Sequence, residues 1–104
     1  MALHKAAKTT DIPPGTVKVV EIDDEEIALC NVDGHIYAIA NICTHDGSPL
    51  DQGCLDGHAI ECPRHGARFD VRTGSVLALP AILPIPTYPV HLRDDDVFVE
   101  IKRA

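Results

Sequence analysis

Eight prolines and seven glycines are spread through this chain so closely that no helix of ordinary length fits comfortably between them. The stretches between the breaks are short and rich in β-branched residues. "TVKVVEI" (16–22) and "EIALCNV" (26–32) are two such runs, joined by the acidic turn Asp23-Asp24-Glu25. "HIYAIANI" (35–42) follows Asp33-Gly34, the pair that favours a type I′ hairpin because both residues tolerate positive φ. Asp56-Gly57 predicts a second such turn before "HAIE" (58–61), and Arg72-Thr73-Gly74 a third break. "TYPVHLR" (87–93) and "VFVEI" (97–101) read as a closing hairpin around Asp94-Asp95-Asp96, and Pro13-Pro14-Gly15 as a further turn. The expected fold class is all-β, a small antiparallel sandwich or barrel. One domain is expected over residues 1–104, without repeat, linker or low-complexity segment.

Charge and cysteine usage narrow the function. Sixteen acidic against nine basic residues leave a net charge of −7, which argues against nucleic acid and favours a basic partner. The opening "MALHKAAKTT" lacks the apolar core of a signal peptide. The longest apolar stretch, "SVLALPAILPIP" (75–86), is shorter than the ~18 residues a membrane span needs and carries Pro80, Pro84 and Pro86. A soluble cytoplasmic protein, most simply a monomer, is the expectation. In a reducing compartment the four cysteines read better as ligands and bystanders than as two disulfides.

Two boxes carry the chemistry, within residues 41–83 or so. "NICTHDGSPL" (41–50) offers Cys43 and His45 as C-x-H, and "ECPRHG" (61–66) offers Cys62 and His65 as C-x-x-H. Each box leaves a strand and contains a glycine, Gly47 or Gly66, so the backbone can turn tightly and aim its N–H groups inward. Two thiolates and two imidazoles suit either one tetrahedral Zn²⁺ or a [2Fe–2S] cluster with unlike irons. Zinc knuckles usually pair like ligands, whereas each box here gives one Cys and one His, which leans toward the cluster.

"CTHDGSPL" and "GCLDGHAIECPRHGARFDVRTGSVLALPA", with the flanking segments from "PPGTV" to "DDDVFVEIK", resemble the Rieske-type ferredoxins that serve bacterial ring-hydroxylating dioxygenases. The resemblance implies one [2Fe–2S] cluster, with Cys43 and Cys62 on the inner iron and His45 and His65 on the outer one. Pro80 falls in the loop similar to the one that covers the cluster. It also implies electron transfer rather than catalysis. Single electrons would pass from a flavin-dependent NAD(P)H reductase to a terminal Rieske oxygenase. The alternatives are the small Rieske subunit of an assimilatory nitrite reductase and, further off, a structural zinc module. The chain has no room for the mononuclear iron domain of an oxygenase itself.

Departures from that family's high-potential members are informative. The cysteines of their loop-joining disulfide are replaced by Ser48 and Arg64, and the hydroxyls that donate to sulfur by Ala67 and Phe69. Donors to sulfur stabilise the more negative reduced state, so a potential toward the bottom of the Rieske range, ~−150 mV rather than +300 mV, is expected. Pro49, Leu50, Pro80 and Ala81 are expected around the exposed end of the loops as an apolar contact patch. Cys30 and Cys54 read as small buried hydrophobes, and His4, His35, His58 and His91 as strand or surface residues. The acidic turns read as solvated. Arg64, Arg68 and Arg72 stand to pair with Asp46, Asp51 or Asp70, or to face a partner, and the residues leave that choice open.

Overall fold

The computed structural model describes residues 2–101; Met1 and residues 102–104, the two ends of the domain expected over 1–104, lie outside the described residues. The strands run in the order β1 (Ala2–Lys8), β2 (Val17–Ile22), β3 (Glu25–Val32), β4 (His35–Ala40), β5 (Cys54–Asp56) and β6 (Ala59–Glu61). They continue as β7 (Arg68–Asp70), β8 (Val76–Ala78), β9 (Thr87–Tyr88), β10 (Val90–Arg93) and β11 (Asp96–Ile101). They form three antiparallel sheets, β1-β11-β10, β2-β3-β4-β9 and β5-β6-β7-β8. The all-β reading holds.

The middle sheet, β2-β3-β4-β9, carries a core on each face. Along β3, Ile27 and Leu29 pack with Ile36, Ala38, Val97 and Val99, while Ala28, Cys30 and Val32 pack with Ile60, Phe69 and Val71. Residues 27–32 are consequently buried without a break. This explains why "EIALCNV" is a continuous apolar run instead of an alternating one. Phe69 is the largest fully buried side chain, and burial of such a group stabilises by roughly 1.5–3 kcal/mol.

Three details depart from expectation. β1 was not foreseen, because an Ala- and Lys-rich segment has weak β propensity. Its strand character comes from pairing with β11 from Ala2↔Ile101 to Lys8↔Asp96, across a bulge between Lys5 and Ala7. "TYPVHLR" is two strands in two sheets: Pro89 interrupts the ladder, β9 pairs with β4, and β10 pairs with β11. The Asp56-Gly57 turn is not a second type I′. Asp56 pairs with Ala59, so the loop is Gly57-His58, and Gly57 alone has positive φ (60°). Asp33 and Gly34, at 51° and 91°, do meet the type I′ requirement.

Gly74 fastens the proline-rich segment 79–86 to the third sheet. Its N–H donates to the Asp70 carbonyl at 2.7 Å, and its own carbonyl accepts the Ile85 N–H at 2.9 Å. At φ +80° it is left-handed, and a Cβ there would overlap the Ile85 carbonyl oxygen. Gly34, at φ +91°, faces open space. Gly34→Ala should therefore lose only the left-handed penalty, about 1–2 kcal/mol. Gly74→Ala adds displacement of backbone and should lose about twice that in chemical denaturation. Equal losses at the two positions would remove the overlap argument.

Candidate metal centre

β4 and β6 each hand the chain to a tight loop, and the two loops close in the same way. Cys43 N–H donates to the Ser48 carbonyl (2.7 Å) and Gly47 N–H to the Cys43 carbonyl (2.7 Å). Cys62 N–H donates to the Ala67 carbonyl (2.7 Å) and Gly66 N–H to the Cys62 carbonyl (3.2 Å). Gly47 and Gly66 sit at φ 78° and 77°, which is where a side chain would be strained. Each loop thus fixes its cysteine through the cysteine's own backbone.

The four sequence-predicted residues come together by type. The sulfurs of Cys43 and Cys62 lie within 4.8 Å of each other, and so do imidazole nitrogens of His45 and His65. The thiols are buried, whereas both histidines are exposed, with ring centroids 5.1 Å apart and planes at 85°. Burial, chiefly, pushes the Cys43 thiol above its ordinary range. The Cys62 thiol beside it adds to this, and the His45 and Asp46 N–H groups oppose it. Deprotonation of such a pair therefore calls for a cation. Two adjacent thiols inside and two imidazoles outside fit a cluster whose two irons have unlike ligands.

Neighbouring residues that the sequence did not single out hold the loops. Asn41, buried at the end of "HIYAIAN", donates through Nδ2 to Asp51 Oδ1 (2.8 Å) and Glu26 Oε1 (3.2 Å), and its Oδ1 accepts the Asp51 N–H (2.9 Å). A polar residue closing an apolar run was the available signal. Thr44 Oγ1 donates to the Leu83 carbonyl at 2.6 Å, tying the proline segment to the first loop. The Leu79-Pro80 bond in that segment is cis. Asp46 accepts the Ser48 N–H at 2.9 Å, which holds its carboxyl below the usual carboxylate range.

Other expectations divide. Cys30 is buried, and its thiol is pushed up to about 12 by burial, as a core residue's would be. Cys54 is exposed, contrary to expectation, because it lies on the edge strand β5 opposite Glu61. Leu50 and Ala81, expected in a surface patch, are buried in the core beneath Cys43 and Cys62. Exposed instead are Leu79 (76%), Ile82 (79%) and Leu83 (60%). Arg64 faces Asp46 (3.8 Å), Arg72 binds Asp70 (2.8 Å), and Arg68 binds Asp56 (2.8 Å) in place of any of the expected acids.

The fold and site define a class: a small all-β domain whose two glycine-closed loops gather two thiols and two imidazoles. Residues 2–89 match the family model described as Rieske [2Fe-2S] domain. The chain belongs to the Rieske [2Fe–2S] domain family, which implies a Rieske-type [2Fe–2S] cluster. It is 44% identical over 97 residues, 93% of each chain, to the ferredoxin component of the naphthalene 1,2-dioxygenase/salicylate 5-hydroxylase systems of Ralstonia sp. The ferredoxin of carbazole 1,9a-dioxygenase from Nocardioides aromaticivorans IC177 superposes with TM-score 0.93 at 34% identity, covering 98% of this chain and 100% of that one. A chain in the complex of reduced oxygenase and oxidized ferredoxin in carbazole 1,9a-dioxygenase gives 0.88 at 34% identity, with 93% and 91% covered.

Asn41→Ala would leave the Asp51 N–H without its acceptor, at a cost of about 1–3 kcal/mol. Asn41→Asp keeps that acceptor but sets a third carboxylate beside Glu26 and Asp51. At pH 7 it should be the less stable of the two variants, recovering as pH falls through the carboxylate range. Denaturant midpoints measured at pH 7 and pH 5 check both statements. An Asp variant that matches wild type at pH 7 would show that the amide donors are dispensable.

Proposed function

We propose that the chain is a low-potential ferredoxin that passes single electrons from a flavin-dependent NAD(P)H reductase to the terminal oxygenase of an aromatic-ring dioxygenase system. It would hold one [2Fe–2S] cluster through Cys43, Cys62, His45 and His65. The observation that carries this is the grouping of ligand atoms like with like. A single tetrahedral zinc would draw all four donors to about 3.5 Å of one another and mix the two types. The ferredoxin names of its relatives favour electron transfer over catalysis, and dioxygenase systems over nitrite reductase. The proposed carrier is a cytoplasmic monomer; among the described residues no helix is long and apolar enough to cross a membrane.

A bound cluster supplies a one-electron couple, and the chain's own residues set its surroundings. Leu50, Ala67, Phe69 and Ala81 are fully or almost fully buried and keep the thiol side dry. Neither Ala67 nor Phe69 carries a hydroxyl that could donate to sulfur, which supports the low-potential reading. His45 and His65 face outward and give a short path to a partner. Leu79, Ile82 and Leu83, joined to the first loop through Thr44, present the apolar surface beside them. A patch of that size suits a weak, transient interface.

Two outcomes test the reading. Anaerobically prepared protein should contain two irons and two sulfides per chain; Cys43→Ala and Cys62→Ala should lose both, and Cys30→Ala and Cys54→Ala neither. One zinc per chain without sulfide would defeat the assignment. Ile82→Asp should leave the cluster spectrum intact and weaken electron delivery to the oxygenase about tenfold, the effect of truncating one well-packed contact. Leu50→Asp, in contrast, buries a charge under the thiols and should cost the cluster itself. Wild-type delivery by Ile82→Asp would move the docking surface elsewhere.

A further inference from the structure

Asp46 is shared by both halves of the centre. Its carboxylate lies within 4.8 Å of the Cys43 and Cys62 sulfurs and within 4.8 Å of imidazole nitrogens of His45 and His65. One oxygen, Oδ1, accepts the Ser48 N–H at 2.9 Å, an Asx-type turn that fixes the side chain. The other, Oδ2, faces His65 Nε2 at 3.6 Å and Arg64 Nε at 3.8 Å. At 3.6 Å the imidazole contact acts through charge rather than as a formed hydrogen bond. The Asp46 side chain is only 20% exposed, whereas that of Arg64 is 68% exposed. Water screens the guanidinium more than the carboxylate, so the cation offsets only part of the anion's field at the ring.

We propose that Asp46 tunes the centre: its carboxylate, held by Ser48 against the outer imidazole His65, lowers the reduction potential. Reduction adds one negative charge to the group held by the four ligands. A fixed anion a few ångströms away raises the free energy of that state more than of the oxidised one. Asp46 is no ligand in this role, because both of its oxygens already have partners in the loops. It acts through space, from beside the His65 ring, as a fixed charge. The inference rests on the two-iron reading of the site.

Iron and sulfide analysis, with electron paramagnetic resonance of the dithionite-reduced protein, examines that reading by itself in wild type. Redox titration of the iron-loaded full chain then compares wild type with Asp46→Asn, Asp46→Ser and Asp46→Glu. Asn and Ser both keep an acceptor for the Ser48 N–H and remove the charge, so failure of one to fold leaves the other. With the paramagnetic signal intact, either neutral variant should raise the reduced-to-oxidised ratio at the wild-type midpoint roughly tenfold, 59 mV for one electron. Asp46→Glu should stay nearer to wild type than either. Neutral variants that keep the cluster and titrate with wild type overturn the proposal. Loss of the cluster from both, with retention in Asp46→Glu, overturns it too, since the carboxylate would then only brace the loop.

Discussion

Four backbone hydrogen bonds fix the centre, two in each loop. In both, the cysteine N–H reaches a carbonyl five residues on, and the glycine four residues on returns an N–H to the cysteine carbonyl. The thiol directions are therefore set by loops that close on themselves, and the sandwich has only to hold the loops side by side. It does so from beneath, because Leu50, Phe69 and Ala81 belong to the same packed cluster as Cys43 and Cys62. It also does so from the side, where Thr44 holds Leu83 and Gly74 holds Ile85. The proline segment is fastened at Leu83 and Ile85, so the exposed Ile82 and Leu83 side chains stand beside a fixed stretch of backbone.

Burying thiols and exposing imidazoles is the favourable way round. A thiolate taken out of water needs a compensating cation, which only the metal can supply inside. A neutral imidazole can sit at the surface without burying any charge. In the proposed centre the electron-exchanging side would thus be the one whose ligands carry no charge. A net charge of −7 would act at longer range, favouring encounter with a basic surface on the proposed partner. The arginines near the second loop do not oppose it, since Arg64, Arg68 and Arg72 each face an acid of the same chain.

Most of this was legible in the sequence because it is local. Turn residues and β-branched runs marked β2, β3, β4 and β11, and the two boxes marked the four ligands proposed for the centre. What escaped depends on pairing across the chain. β1 exists because β11 offers it a partner, and Pro89 divides a run between two sheets because each half meets a different neighbour. Leu50 and Ala81 are apolar residues beside the boxes, and the sequence does not say whether they point out or under. Cys54 illustrates the converse: β5 lies at an edge, and one face of an edge strand meets water.

Ser48 and Arg64 stand where the resemblance places the disulfide cysteines of high-potential relatives, and here one carboxylate meets both: Asp46 accepts the Ser48 N–H and faces the Arg64 guanidinium. A covalent, uncharged link between the loops is thereby replaced by an anion with a solvated counterion. The hydroxyl donors are missing from Ala67 and Phe69, both fully buried. Both changes act in one direction. Fewer donors to sulfur and one more negative charge each disfavour the reduced state. In the proposed carrier, which has to give its electron up, that destabilisation would come from side chains, those of Asp46, Ala67 and Phe69.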